Sequence, residues 1–286
     1  MPILRCGFIG LGAMGAPMAR HLHSRGLLAV VGNRSAAKAT ALATELQVRG
    51  AAAPAAFSGC DVVLLCVSAD ADVLQNVDAL AAVLQPSAIV VDHSTVARAT
   101  ALDAARRLGE RGIGFVDAPV SGGVEGARNG KLSVMAGGVA EHVDRVRPAL
   151  DAYAARVTHL GGVGDGQAAK AVNQVLVAGI NEAVCEGLAL AERLALDPAK
   201  LLPTLGAGAA ANWFLDKRGA TMLRDEFVPG FKCAHMLKDL RIVQAMAQSA
   251  GVRHAVIDQA LADYAELVAA GRGDEDTSAL IRLKRD

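Results

Sequence analysis

The chain has 286 residues, of which 29 are basic and 29 acidic, so its formal net charge is zero. This balance lacks the basic excess that binding to nucleic acid or to an anionic membrane surface requires, and we expect neither partner. A hydrophobic fraction of 52% with only 20% charged residues excludes a disordered chain and predicts one large or two ordinary compact domains.

Residues 1–160 alternate between strand signals and helix signals. The apolar runs that predict strands are ILRCGFIG, LLAVVGN, DVVLLCV, AIVVDHS, GFVDAP, LSVMAGG and RVTHLG. Between them, alanine-rich amphipathic stretches predict helices over residues 14–24, 36–46, 72–84, 97–108 and 140–153. Apolar strands separated by helices predict an α/β domain with a parallel sheet that is covered on both faces.

The strand signals stop after GGVGDG (161–166). Residues 165–194 predict one long helix, and Asp197 with Pro198 marks the start of the next. Further helices are predicted over 213–222, 232–250 and 254–270. We therefore predict an α/β domain over 1–162, joined by the long helix to an all-helical domain over 163–286. The final IRLKRD (281–286) is predicted to be a solvated terminus.

A glycine pattern follows the first predicted strand. Gly10, Gly12 and Gly15 in GFIGLGAMG form G-x-G-x-x-G at the start of a helix. The glycines permit a tight turn, close approach of a pyrophosphate and close contact between helix and strand, and the helix start attracts the anion. In this strand–turn–helix context the motif predicts a dinucleotide site over Gly10, Leu11, Gly12, Ala13, Met14 and Gly15.

The end of the second strand indicates which dinucleotide binds. An NAD site favours Asp or Glu here for the ribose 2′-hydroxyl, whereas VVGNRSAAK offers Asn33, Arg34 and Ser35, with Lys38 one turn later. An arginine can hold a 2′-phosphate that a carboxylate would repel. We therefore predict NADP, with NAD as the alternative.

The start of the long helix carries one lysine without a nearby acid. At about 100° per residue, Lys170, Asn173, Gln174, Val177 and Asn181 share one face. The other face is predicted to be core and carries Val172, Val175, Leu176, Gly179, Ala183 and Val184. One cation with three amides is unusual for a solvated face and suits a polar cleft, although periodicity alone favours a snorkelling surface lysine.

Targeting and redox signals are weak. No apolar run approaches the length of a membrane span, and MPILRCGFIGLG reaches glycines too early for a signal peptide. The five cysteines show no metal spacing. We expect buried reduced thiols, a cytoplasmic protein and no metal site.

Four blocks in order resemble the β-hydroxyacid dehydrogenase family, which includes 3-hydroxyisobutyrate dehydrogenase. They are GFIGLGAMGAPMARHL, DAPVSGGVEGARNGKLSVMAGG, GQAAKAVNQ and HMLKDL. The resemblance implies a Rossmann-type domain, a helical domain that also forms a homodimer or homotetramer, and a substrate cleft between them.

The resemblance also implies roles for single residues. Lys170 matches the catalytic lysine and Asn173 its polar companion. Ser121, Gly122 and Gly123 match the loop that binds the substrate carboxylate, and Lys238 matches a lysine on the cofactor side. Thr95 and the segment Cys66, Val67 and Ser68 match positions lining the nucleotide, although the family often has proline where Ser68 stands.

Chemistry supports these assignments. A hydroxyl and two glycine amides at the carboxyl edge of the sheet can cradle a carboxylate. Asn212 and Trp213 could line the substrate, although for Trp213 core or interface contacts fit equally well. Burial and a cationic nicotinamide both favour a neutral lysine amine, whereas a carboxylate partner would hold its proton.

We therefore predict hydride transfer between NADP(H) and a small β-hydroxy acid or its semialdehyde. Two alternatives stay open, an imine reductase of the same fold and a non-catalytic NADP-binding scaffold. A lysine at position 170 argues against the first, and the intact set of Ser121, Gly122, Lys170 and Asn173 argues against the second. A 6-phosphogluconate-type enzyme would need a longer helical domain.

Overall fold

The computed structural model describes residues 4–285. Ile3, which begins the first predicted apolar run, and Asp286 lie outside this range. The strands are β1 (Cys6–Ile9), β2 (Leu28–Gly32), β3 (Arg49–Gly50), β4 (Val62–Leu65), β5 (Ile89–Asp92), β6 (Gly114–Asp117), β7 (Val120–Ser121), β8 (Leu132–Gly138) and β9 (Ala154–Gly161). The first helices are α1 (Gly15–Ser24), α2 (Ala36–Leu46), α3 (Asp70–Ala81), α4 (Arg98–Gly109), α5 (Gly123–Arg128) and α6 (Ala140–Leu150).

The second half of the chain is helical. Its helices are α7 (Asp165–Arg193), α8 (Pro198–Gly206), α9 (Trp213–Leu223), α10 (Cys233–Ser249), α11 (Ala255–Ala269) and α12 (Ile281–Arg285). Every predicted helix is present, and the ends differ by at most three residues. Four of these elements were not predicted, namely α5, α12 and the two-residue strands β3 and β7, because they are too short for a periodic signal.

The sheet has the order β3-β2-β1-β4-β5-β6-β8-β7, with β9 beside β8. Neighbours from β3 to β6 are parallel, as predicted. β8, by contrast, is antiparallel to β6 and β7. Residues 118–131, between β6 and β8, form the short strand β7 and the short helix α5 instead of a helix long enough to carry the chain back across the sheet.

Two apolar clusters cover opposite faces of the sheet. Successive residues of β4 alternate between them, since Leu64 belongs to the cluster with Phe8 and Met18, whereas Leu65 belongs to the cluster with Phe115. A third cluster, around Met236, Leu240 and Tyr264, is the core of the helical half. The chain forms two compact units, one ending at Lys170 and the other beginning at Ala171.

The structure reverses the two predicted faces of α7. On the predicted core face, Val172 and Leu176 are each 62% exposed, whereas Gln174 and Asn181 on the polar face are buried. The buried amides have partners, since Gln174 donates to Asp239 and Asn181 to the hydroxyl of Tyr264. Polar groups can form the inner face of a helix when each finds a hydrogen bond there.

Among residues 4–285, one helix is long and apolar enough to cross a membrane by length and composition. An 18-residue window of α7 has a mean hydropathy of 1.3, and 39% of it is buried. The prediction that no apolar stretch approaches this length is therefore wrong, because the mean over the window stays high although polar residues such as Asn181 and Glu182 interrupt the apolar run. This is weak evidence for a membrane span, since core helices of soluble proteins share these properties.

The prediction of a solvated C-terminus is also wrong for residues 281–285. Ile281 is fully buried, and the side chain of Lys284 is only 15% exposed in ion pairs with Glu182 and Asp263. The tail is charged, but its charges have fixed partners that lie far away in the sequence.

Candidate active site

The turn between β1 and α1 requires two of its motif glycines for its own conformation, and the third leaves its outer side open. Gly10 has φ +99°, and a Cβ there would lie 2.1 Å from the carbonyl oxygen of Cys66. A Cβ on Gly15 would lie 1.9 Å from the carbonyl oxygen of Gly10. A Cβ on Gly12, by contrast, would meet no atom within 4 Å. This open side is where a phosphate can approach the backbone, so the turn fits a dinucleotide.

A cavity of about 510 Å³ lies beside this turn. It brings together three segments predicted to bind the cofactor: Gly10, Leu11 and Gly12; Asn33, Arg34 and Ser35; and Cys66, Val67 and Ser68. The same lining includes Lys38 and, from α3, Asp72, Gln75 and Asn76, but not Ala13, Met14, Gly15 or Thr95.

Asn33 ties the end of β2 to the glycine turn. Its Oδ1 accepts a hydrogen bond from the amide of Leu11 at 2.9 Å, and its Nδ2 donates to the carbonyl of Ser35. The residue therefore shapes the cavity wall through its side-chain amide. A carboxylate at this position could accept the first bond but could not donate the second.

Arg34 extends into the open part of the cavity. Its side chain is 90% exposed, and its Nη1 lies 3.8 Å from Oδ1 of Asp72. Asp72 was not predicted as a site residue, because it follows β4 rather than β2. Both strands run parallel to β1, on either side of it, so the segments that follow them lie at the same sheet edge, which brings the acid and the arginine together.

Buried polar groups stabilise the carboxyl ends of β5 and β6. Burial raises the pKa of Asp92 to about 7, while its Oδ1 accepts from the amide of Ser94. Burial lowers the pKa of His93 to about 4. The ring Nδ1 of His93 donates to the carbonyl of Ala118, and Nε2 bonds the hydroxyl of Tyr153. These contacts give His93 a structural role.

Asp117 fixes the start of α7. Its fully buried carboxylate accepts from the amide of Gly164 at 2.7 Å and from that of Gln167 at 2.9 Å. Lys170 follows on the second turn of α7 and is only 7% exposed. The interpretation of Lys170 as a snorkelling surface lysine is therefore wrong.

In the second compact unit, a chain of hydrogen bonds connects two predicted site residues. Asn173 donates to Gln174, Gln174 donates to Asp239, and Lys238 forms an ion pair with Asp239 at 2.9 Å. Asp239 is 2% exposed. The sequence analysis missed it because the acid comes from α10, far from α7 in sequence.

The predicted carboxylate loop has a defined backbone. Ser121 belongs to β7 and pairs with Ser133 of β8. Gly122 has φ +125° and Gly123 has φ +61°, conformations that other residues rarely adopt. The two glycines thus turn the chain from β7 into α5, and their amides remain compatible with an anion at that turn.

Asn212 and Trp213 lie together at the start of α9. Asn212 caps the helix, since its Oδ1 accepts from the amide of Leu215, and its Nδ2 donates to Ala210. Trp213 is 53% exposed, and the guanidinium of Arg218 lies 5.3 Å from its ring centre. Both residues line a second cavity, between α8 and α9.

Known proteins match the whole chain. Residues 5–161 match the family model described as the NAD binding domain of 6-phosphogluconate dehydrogenase. Residues 164–284 match the model described as NAD-binding of NADP-dependent 3-hydroxyisobutyrate dehydrogenase.

Individual relatives agree with the family models. An uncharacterized oxidoreductase of Shewanella frigidimarina is 38% identical, with 98% of each chain covered. The NAD-dependent L-serine dehydrogenase of Pseudomonas aeruginosa is 32% identical, with 96% of each covered. The structure of Mycobacterium tuberculosis 3-hydroxyisobutyrate dehydrogenase with L-serine superposes with a TM-score of 0.89 at 29% identity and covers 100% of both chains. The chain therefore belongs to the β-hydroxyacid dehydrogenase family, as a nicotinamide-dependent oxidoreductase of the 3-hydroxyisobutyrate dehydrogenase type.

Proposed function

We propose that the protein transfers a hydride between NADP(H) and a small 3-hydroxy acid or its semialdehyde, with Lys170 as the proton-transfer group. The observation that carries this proposal is the burial of Lys170, which is 7% exposed at the start of a helix that is anchored to the sheet edge. A buried amine near the carboxyl ends of parallel strands fits a role in proton transfer better than the role of a surface lysine that keeps the protein soluble.

NADP, when bound, supplies the hydride donor or acceptor at its nicotinamide. In the oxidation direction, Lys170 accepts the proton of the substrate hydroxyl, and in reduction it returns that proton to the carbonyl oxygen. Asn173, one helical turn later, orients the substrate oxygen. Ser121, Gly122 and Gly123 bind the carboxylate, for which a hydroxyl and backbone amides are suitable donors.

The cofactor preference rests on the end of β2. No carboxylate follows β2 directly, whereas Arg34, Ser35 and Lys38 all line the cavity. The guanidinium of Arg34 and the ammonium of Lys38 suit a 2′-phosphate. We therefore propose NADP over NAD.

The substrate class rests on the relatives. The protein from P. aeruginosa is named for L-serine, and the structure from M. tuberculosis is described with L-serine. Both L-serine and 3-hydroxyisobutyrate carry a carboxylate and a hydroxyl on the third carbon. We propose this arrangement for the substrate of the present protein.

Replacing Lys170 tests the proposed function. Lys170→Ala should lower kcat for a 3-hydroxy acid by a factor on the order of 10²–10⁴, the usual contribution of general acid–base catalysis. Lys170→Arg should restore little, because a guanidinium keeps its proton at neutral pH. NADP binding, measured by fluorescence titration, should stay unchanged in both variants. Near-normal turnover in Lys170→Ala would disprove the role.

We also propose that the protein is a homo-oligomer through α7. Exposed apolar residues define the α7 stripe, which comprises Val172, Leu176, Ile180, Ala183 and Leu190. At about 100° per residue they span an arc of about 80°. Such a continuous apolar surface is typical of a contact site, and a second copy of the chain can cover it with the same stripe.

A further inference from the structure

Gln167 is a buried amide on the first turn of α7, three residues before Lys170. Its Nε2 donates to the carbonyl of Ser94 at 2.8 Å, and its Oε1 accepts from the amide of Val96 at 3.2 Å. The residue is 2% exposed. Its side chain thus binds the backbone on both sides of Thr95 and leaves Thr95 itself between the two bonds.

The segment that Gln167 holds belongs to the cofactor side of the sheet. Ser94 in turn contacts two further residues. Its Oγ accepts from the amide of Val67 at 2.9 Å, and its own amide donates to the carboxylate of Asp92. Val67 lines the dinucleotide cavity. Through Ser94, one glutamine therefore connects α7 with the loops that follow both β4 and β5.

The first turn of α7 lies close against the sheet edge. The amide of Gln167 is held by Asp117 at 2.9 Å. A Cβ on Gly166 would lie 2.5 Å from the carbonyl oxygen of Met135 and 2.6 Å from that of Asp117. The helix backbone thus lies directly against β6 and β8. Since a helix is rigid over one turn, whatever fixes Gln167 also fixes the backbone of Lys170.

We propose that Gln167 is a positioning residue for the dehydrogenase reaction, which holds Lys170 in register with the loop that contains Thr95 and thereby with the bound cofactor. This inference rests on the proposed role of Lys170. Proton and hydride transfer need their reacting atoms aligned within fractions of an ångström, and a misplacement of 1 Å can cost about 10²-fold in rate.

Glutamine is the side chain that this position requires. The two backbone groups flanking Thr95 present one acceptor and one donor, and glutamine offers the complementary pair without having to bind a proton. Methionine has a similar length and volume but can form neither bond. Gln167→Met therefore removes both hydrogen bonds to the backbone beside Thr95 while the buried volume stays filled.

A double-mutant cycle separates positioning from a general loss of structure. Gln167→Met should lower kcat about 10- to 100-fold with a change below about 2-fold in KM for the hydroxy acid. In the Lys170→Ala background, the same substitution should change kcat by less than about 2-fold, because the residue it positions is gone. If Gln167→Met lowers kcat by the same factor in the wild-type protein and in Lys170→Ala, the proposal is overturned. The Lys170→Ala single variant tests the proposed function separately.

Asn181→Leu is the matched control for this cycle. Asn181 is another fully buried amide on α7, and it bonds the hydroxyl of Tyr264 in the helical unit. Its replacement should lower the melting temperature with a kcat change below about 2-fold. If Asn181→Leu lowers kcat as much as Gln167→Met, the effect of Gln167 is loss of stability, and the proposal fails.

Gln167→Glu provides a second test that does not depend on the methionine variant folding. A neutral carboxyl has one donor and one acceptor, like the amide, whereas a carboxylate would face the carbonyl of Ser94 without a proton. The ratio of the variant's kcat to the wild-type kcat should therefore rise as pH falls from about 8 to about 6. A ratio independent of pH would contradict the role of these two hydrogen bonds. The titratable and charged groups on the first two turns of α7 and on the segments that contact Gln167 are Asp92, His93, Arg98, Asp117, Asp165 and Lys170.

Discussion

Arg34 faces two anionic groups that compete for its guanidinium. One is the carboxylate of Asp72, at 3.8 Å, and the other is the 2′-phosphate of NADP in our proposal. Because the side chain of Arg34 is 90% exposed, its pairing with Asp72 is weak and can be exchanged for a ligand. Asp72 would also repel that phosphate, so we expect it to reduce the preference for NADP that we propose for Arg34.

Asp72→Asn should increase the preference for NADP over NAD about 2- to 5-fold, which corresponds to about 0.5–1 kcal/mol for an exposed charge pair. Arg34→Asp should act in the opposite direction and weaken NADP much more than NAD. The measurement is kcat/KM with each cofactor. Asp78→Asn is the control, because Asp78 lies on the same helix, pairs with Arg107 and does not line the cavity. A wild-type preference for NAD would refute the NADP proposal.

The short helix α12 is held by charges that its sequence gives no reason to expect. Lys284 forms ion pairs with Glu182 of α7 and Asp263 of α11. Arg285 holds Glu192 with two hydrogen bonds of 2.8 Å. Burial raises the pKa of Glu182 above its usual value, in spite of the opposing effect of Lys284. The cluster therefore depends on its cation.

Lys284→Met should lower the free energy of unfolding by about 3 kcal/mol at pH 8, since it leaves two buried carboxylates without their cation. The loss should be smaller at pH 5. The pKa of Glu182 is raised in the folded state, so the native state binds more protons than the unfolded state, and stability falls as pH rises. Without Lys284, the difference in bound protons between the native and the unfolded state becomes larger. The raised pKa of Lys284 itself matters only in alkaline solution.

Urea unfolding at both pH values measures this effect. Lys200→Met is the control, because Lys200 is 87% exposed and lies 3.9 Å from Asp197, and its removal should cost less than about 1 kcal/mol at either pH. An equal loss for Lys284→Met at pH 5 and pH 8 would show that the carboxylates do not titrate with folding.

At the scale of the whole molecule, the α7 stripe leaves a large apolar surface open to solvent. Leu176→Asp should therefore convert the protein to a species near the single-chain mass of 29.3 kDa, because a buried carboxylate in a self-complementary contact meets its own copy. Light scattering coupled to size exclusion measures the mass. Leu102→Asp is the control, since Leu102 is 45% exposed on α4 and does not belong to the stripe. A wild-type protein of single-chain mass would contradict the oligomer.

Local signals determined most of the fold. The glycine turn, the helix start at Asp197 and Pro198, and the alternation of strands and helices are consequences of backbone conformation and short-range hydrogen bonds. These act between residues close in sequence, so a sequence pattern contains them. The same is true of Gly10, Gly12 and Gly15, whose roles follow from the turn that they form. The family membership follows from such blocks.

Contacts between segments that are distant in sequence decided which residues are buried, and the sequence pattern could not predict these contacts. Helical periodicity divides α7 into two faces but does not state which face is buried, because that depends on partners such as Asp239 and Tyr264. Several contacts join residues tens of positions apart. They are the buried hydrogen bonds of Gln167, the approach of Asp72 to Arg34 and the ion pair of Lys284 with Glu182. The sequence by itself determined the elements and the dinucleotide turn. Only the tertiary structure decided which polar groups are desolvated together, since burial is a property of neighbours in space.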